Sequence, residues 1–256
     1  MHISIIIPGI RTQNWVQIYN DISKSCKKFT WEIIFVGPYD LPTELKNKNN
    51  IQYFKDWGCP TRCRQIAFRH MKGDYMCYGA DDTFFIEDKL DDAFKLVCQK
   101  DYKTVLIGKY LESSNPSPDM YDDKYYKASH HFSSMFYRWP EQIKNYYLIL
   151  SGLISKQLLY EVGGWDTQFQ ACAMAGIDLG FRLQNLNINT IIGTEPIFHA
   201  THCPGTTGDH APIHYATLED MKLLDLIYSA PNSLNRIRVD LNNWMLSPEI
   251  WKKRFS

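Results

Sequence analysis

GDYMCYGADDTFF, residues 73–85, decides how this chain reads. An apolar, aromatic-rich run ends abruptly in two adjacent carboxylates, Asp81 and Asp82. Apolar runs of this length between turn residues suit a strand inside a covered sheet. Carboxylates at the C-terminal end of such a strand point into the crevice where open α/β sheets bind ligands. Two like charges this close repel, so a site that keeps both ionised usually holds a cation. The other reading is an acidic turn, Asp81-Asp82-Thr83, capping a helix that begins near Ile86. The segment alone leaves both open.

Outward from it, strands and helices alternate. HISIIIPGI at 2–10 reads as a strand closed by Pro8-Gly9. A helix follows over 14–26, with Trp15, Ile18, Tyr19 and Ile22 at helical spacing. WEIIFVGP at 31–38 is a second strand stopped by Gly37-Pro38, and IQYF at 51–54 a short third. Residues 61–71 read as a basic helix with Cys63, Ile66, Ala67 and His70 on one face, and 75–78 as the fourth strand. This alternation predicts an α/β fold with a mostly parallel sheet, right-handed crossovers and flanking helices.

Beyond the carboxylates, a helix over 87–99 precedes a strand at 104–107. Residues 112–145 are dominated by Ser, Asn, Pro, Asp and Tyr without periodicity, the mark of a functional or mobile loop. Order returns with LILSGLISKQLLYEVGGWD, a helix over 177–186 and the strand NTIIGTEPIFHA. From about Leu218 the tail carries two helical patterns and ends in the basic WKKRFS. The economical division is one domain over 1–215 with a helical C-terminal extension over 216–256.

The 256 residues are 45% apolar and 22% charged, ordinary for a globular protein. Lys+Arg and Asp+Glu both number 28, so no overall field favours nucleic acid or an anionic membrane, and peripheral membrane contact stays open. The cysteine count of seven is odd, which with no basic n-region or long apolar segment reads as reduced thiols in a cytoplasmic protein. Cys59 and Cys63, four apart, match neither a redox nor a zinc pattern.

No GxGxxG follows the first strand and no GxxxxGK[ST] occurs, which weakens a dinucleotide or P-loop reading. The ordered set does carry a resemblance. "SIIIP", "GDYMCYGADDTFF", "GGWDTQF" and "DLGFRLQ", with Arg64 on the basic helix and His199 closing a strand, resemble the family-two glycosyltransferases of GT-A fold over roughly residues 2–205. That resemblance implies transfer of a sugar from a nucleotide-diphosphate donor (UDP-, GDP- or dTDP-linked) to a hydroxyl of a glycan or lipid-linked saccharide. It implies Mn²⁺ or Mg²⁺ as Lewis acid for the leaving diphosphate, on hard oxygen ligands.

By resemblance Asp81 is the metal carboxylate and Asp82 its neighbour, while Gly79 stands where a first aspartate often contacts the ribose. Pro8, Gly9 and Arg11 would lie beside base and ribose, with Gly37 to Asp40 facing the base. Arg62 and Arg64 lie on the helix that helps hold the nucleotide, Arg being suited to diphosphate. A solvated basic face is the other reading, especially for Arg62. His199 would complete the metal site, and a zinc site from His199, His202 and Cys203 is a rival. The glycine-rich loop CPGTTGDHAPIH, with Asp209, His210 and His214, would close over the diphosphate.

An inverting transfer needs a base for the acceptor hydroxyl. The family takes it from an acidic cluster opening a helix, where this chain has Ala175-Gly176-Ile177-Asp178. Asp178 is therefore the expected base, against a capping role, with Asp166 in reserve or ordering its turn. Trp139, Tyr146, Tyr147 and Trp165 are candidates for an acceptor platform, against plain core packing. Two rival readings remain: a non-catalytic GT-A-like binding module, and a sugar nucleotidyltransferase with PGIRTQN as a poor version of its loop.

Overall fold

A computed structural model describes residues 1–113, 132–133, 146–147, 149–201, 211–229 and 235–245, with the backbone alone at 111–113, 132–133, 146–147 and 211–214. Its strands are β1 (Ile3–Pro8), β2 (Trp31–Gly37), β3 (Ile51–Lys55), β4 (Tyr75–Tyr78), β5 (Thr83–Phe85), β6 (Thr104–Ser113), β7 (Phe132–Ser133), β8 (Tyr146–Tyr147), β9 (Gly152–Ser155) and β10 (Asn189–Thr201). The helices are α1 (Trp15–Ser25), α2 (Pro60–His70), α3 (Lys89–Val97), α4 (Lys156–Val162), α5 (Cys172–Asn185) and α6 (Ala211–Tyr228).

Among the described residues, eight strands form one sheet in the order β3-β2-β1-β4-β9-β6-β10-β5, and β7 pairs separately with β8. The N-terminal half is parallel: β1 lies between β2 and β4, and β3 extends the sheet from β2. Beyond β4 the sheet is mixed, because β9 runs antiparallel to both β4 and β6, and β5 antiparallel to β10. Only β6 and β10 restore a parallel pair there.

The alternation of side chains along each strand divides the core in two. Ile6, Ile34, Val36, Met76, Tyr78 and Ile154 face α2, α4 and α5. Ile5, Ile7, Ile33, Phe35, Cys77 and Leu153 face α1 and α3, where Trp15 stacks on Phe35. With both faces covered, β1 has every residue buried, which is why its sequence is apolar but for Ser4. Local chemistry sets the helix ends. Pro60 opens α2, and the Ser155 hydroxyl caps α4 by accepting from the Leu158 N–H at 3.1 Å. Gly163 ends α4 at φ +83°, a left-handed stop that a side chain would strain.

Several boundaries differ from expectation. The acidic turn leads into the edge strand β5, not into a helix near Ile86; α3 begins at Lys89. β6 continues to Ser113 rather than stopping at 107, carried along by β10. The α5 helix starts at Cys172, ahead of the expected 177, because small residues there pack instead of showing a periodic stripe. Residue 215 falls inside α6, which begins at Ala211 rather than near Leu218. No described helix is long and apolar enough to cross a membrane.

Candidate functional site

The C-terminal ends of β1, β2 and β4 meet at one end of the parallel half-sheet, the place where such folds bind ligands. The loop after β1 is held there by close packing. The Gly9 N–H donates to the Val36 carbonyl at 3.0 Å, and a Cβ on Gly37 would fall 1.9 Å from the Gly9 carbonyl oxygen. A Cβ on Gly9 would in turn lie 2.6 Å from the Asp81 Cβ. Glycine at position 9 is what lets this loop lie against the acidic turn.

The turn is closed by Thr83, whose hydroxyl donates to the Ala80 carbonyl at 2.6 Å, and tied to β10 by the Thr201 N–H on the Asp82 carbonyl. The carboxylate of Asp81 then receives three N–H donors. Oδ2 accepts from the main-chain N–H groups of Ile10 at 2.6 Å and Arg11 at 2.7 Å. Oδ1 accepts from Arg11 Nη1 at 2.6 Å, and the same nitrogen lies 3.6 Å from Asp82 Oδ2. The guanidinium of Arg11 therefore serves as the cation of the pair. Both aspartate side chains are largely buried, Asp81 more so at 6% exposed against 16%.

This arrangement does not fit a divalent metal at Asp81. A metal needs lone pairs, and about three of the four on the Asp81 carboxylate are directed at nitrogen-bound protons. Among the described residues, no group of three or more His, Cys, Asp or Glu is placed to hold a metal. His199 does not join Asp81 in a ligand set. Its ring is buried and stacked on Phe84, with centroids 5.4 Å apart, and burial lowers its pKa. The place of the expected first aspartate is filled as well, since a Cβ on Gly79 would meet Ile7 Cδ1 at 2.6 Å.

Arg64 rises from α2 beside this cluster and is buried. Its guanidinium lies 3.5 Å over the Tyr78 ring, and Nη1 donates to the Cys172 carbonyl at the start of α5, 3.2 Å away. Nε and Nη2 have no hydrogen-bond partner among the described residues. These two atoms form the side-on edge that grips a phosphate or carboxylate with two parallel bonds. Burial lowers the pKa of Arg64 to about 10, which still leaves it charged at neutral pH. Cys172 marks the convergence: burial raises its thiol pKa, and the charges of Arg64, Asp82, Asp81 and Asp220 all act on it.

The other candidates lie elsewhere. Arg62 is not part of a solvated basic face; it grips Asp56 through Nε and Nη2 and lies over Trp244. Asp40 is exposed and bound to Lys55 Nζ at 2.9 Å, which lowers its pKa. Near it the exposed ring of Tyr39 meets Trp57 edge-on, a pair the sequence reading passed over.

Asp178 is not at a helix start and is fully buried. Its Oδ2 accepts from Arg182 Nε at 2.8 Å, and Oδ1 from the Tyr228 hydroxyl at 2.8 Å and Arg236 Nε at 3.1 Å. With both oxygens committed to a buried network, it is not placed to take a proton from an acceptor. Asp166 orders its turn instead, accepting from the Gln168 N–H and from Arg236 Nη2. Trp165 is core, edge-on to Phe68. Trp139, His202, Cys203, Asp209 and His210, and the side chains of Tyr146, Tyr147 and His214, lie outside the described residues.

One carboxylate at the entry to α5 escaped the sequence reading. Asp220, on α6, accepts from the main-chain N–H groups of Gln170 at 2.8 Å and Ala171 at 2.6 Å. Burial raises its pKa to about 6, with Asp166 adding to the shift.

Set beside solved structures, this sheet and its flanking helices match S. aureus TarS. The fold is that of the GT-A glycosyltransferases. TarS 1–349 in complex with UDP superposes with a TM-score of 0.58 at 14% identity, over 88% of this chain and 65% of that one. The complex of TarS 1–349 with UDP-GlcNAc gives 0.56 at 16% identity, over 88% and 66%. Against the longer TarS structure the score is 0.56 at 16% identity, over 98% of this chain and 45% of that one. The chain thus spans less than two thirds of the length of these neighbours. No protein-family model matches the sequence, and no curated protein does either.

Proposed function

We propose that this protein is a glycosyltransferase that takes a sugar from a nucleotide-diphosphate donor seated over the ends of β1, β2 and β4. The observation that carries this is the Nε–Nη2 edge of Arg64, buried and charged over Tyr78 at the end of β4 and lacking a partner among the described residues. A buried guanidinium with three of its five N–H donors unmet is costly unless an anion completes it. A diphosphate supplies paired oxygens of the right geometry, and Arg64 would gain most as negative charge grows on the leaving group. The loop of Pro8, Gly9 and Arg11 and the exposed Tyr39 flank the crevice, where the nucleoside would lie.

The TarS complexes with UDP and UDP-GlcNAc make UDP-sugars the first donors to try. The acceptor would be a saccharide hydroxyl, free or lipid-linked. Neither Asp178 nor Asp166 is proposed as its base, since both are held by arginines.

A second reading is favoured by one specific observation: the first turn of α5 carries no acid, and Ala175 and Gly176 stand where the resembled family has its acidic pair. On that reading the protein binds nucleotide sugars without turning them over. The full chain is assayed with a panel of UDP-, GDP- and dTDP-sugars, measuring binding by calorimetry and nucleotide release with and without saccharide acceptors. Release that increases with acceptor supports transfer. Binding without release favours the second reading. If no nucleotide or nucleotide sugar binds, both are wrong.

A further inference from the structure

We propose that Arg11 is the built-in counter-ion of the Asp81–Asp82 pair and excludes a divalent cation from it while no nucleotide is bound. The geometry of the loop after β1 carries this. Nη1 of Arg11 sits 2.6 Å from Asp81 and 3.6 Å from Asp82, so one guanidinium already compensates half the charge of the pair. A second cation entering the same space meets that guanidinium at close range, where like charges with little water between them repel strongly.

Swinging Arg11 aside would not be enough. The other oxygen of Asp81 is held by the main-chain N–H groups of Ile10 and Arg11, and the Asp81 carbonyl is taken by the Asn14 amide at 2.8 Å. Those main-chain groups cannot turn away alone, because the loop is wedged between Asp81 and Gly37 with no room for even one added carbon at Gly9. A hard cation asks for several oxygen ligands at about 2.0–2.6 Å. Here it would have to break an ion pair, shift a packed loop and accept few protein oxygens in exchange.

The inference concerns the nucleotide-free protein and stands apart from the proposed transfer reaction. Its test is Mn²⁺ binding to the full chain, by electron paramagnetic resonance and calorimetry, without nucleotide. Wild type is expected to show no site tighter than about millimolar. Arg11→Met keeps the aliphatic stem and removes the charge. It should open a Mn²⁺ site at least about tenfold tighter, a gain of about 1.4 kcal/mol, and Asp82→Asn in that background should abolish it.

Arg11→Lys, which keeps the cation, should still exclude Mn²⁺, and it serves if the methionine variant does not fold. A tight Mn²⁺ site in wild type that disappears in Asp81→Asn overturns the proposal. So does a folded Arg11→Met that binds Mn²⁺ no better than wild type, or an Arg11→Lys that binds it tightly. UDP binding measured in chelator reads the proposed function separately: its absence counts against that function and leaves the Mn²⁺ result standing.

Discussion

Replacing Asp178 with alanine should unfold this protein more readily rather than switch off a proton transfer. Its carboxylate is fully buried and joins Arg182, Tyr228 and Arg236. Hydrogen bonds to charged groups contribute about 1.5–3 kcal/mol each, but three of them do not simply add. Arg182 keeps the Val162 and Gly164 carbonyls, each at 2.7 Å, yet its charge, also fully buried, loses its partner. Arg236 is 23% exposed and keeps Asp166, so it recovers some solvation. Breaking one side of a buried pair costs about 3–5 kcal/mol, and the partial compensation at Arg236 argues for roughly 3–4 kcal/mol here. For a chain of this size that lowers Tm by on the order of 10 °C. Urea titration and calorimetry read the loss, and UDP binding below the transition should be unchanged. If Asp178→Ala melts with wild type while nucleotide release from a donor sugar disappears, the structural assignment is wrong and Asp178 is catalytic after all.

Three further outcomes follow from the same geometry. Arg64→Met should leave the nucleotide-free protein as stable as wild type or more so, since it removes a buried charge with unmet donors. The same variant should weaken UDP binding at least about tenfold, read by calorimetry; unchanged affinity would remove Arg64 from the site. Asp220 has a folded pKa near 6 against an ordinary value of 3.8, so the native state holds its proton longer than the unfolded chain. Stability should therefore fall as pH rises from about 4 to 6 and then level, by up to about 3 kcal/mol. Asp220→Asn should flatten that slope, and an unchanged slope in urea titrations would assign it to other groups. Gly9→Ala should disrupt the loop, because its Cβ would meet the Asp81 Cβ at 2.6 Å. Loss of UDP binding with the sheet intact by circular dichroism is the expected result; wild-type affinity would show that the loop gives way easily.

The parallel half of the sheet was legible because its physics is local. A strand covered on both faces reads as a nearly continuous apolar run, and β1, β2 and β4 do so, broken only by Ser4 and Glu32, which satisfy each other by a 2.6 Å hydrogen bond. Their ends also located the acidic pair correctly. What the pair does was not legible, because the cation that meets it comes from Arg11, 70 residues away, through a loop whose shape depends on the packing of Gly9 and Gly37. Asp178 and Arg182 are spaced as a helical ion pair, i to i+4, which gave a signal for a structural role. It was outweighed by setting the helix start too late, in a run of small residues with no apolar stripe. The strand β5 was hidden for a different reason: three residues pairing with β10, more than a hundred positions later, have no periodicity of their own.

Residues 235–245 lie across the turn that follows α4. The Val239 N–H reaches the Val162 carbonyl, Asn243 reaches Trp165, and Gln65 on α2 donates to the Leu241 carbonyl across 176 residues of chain. These links bear on time rather than on energy. A contact that spans so much sequence forms only after the intervening chain has been ordered, and topologies rich in such contacts fold slowly. The docking of this strap should therefore be the late event of folding. In refolding kinetics, Trp244 would report a slower phase than Trp15, which is buried between α1 and the parallel strands.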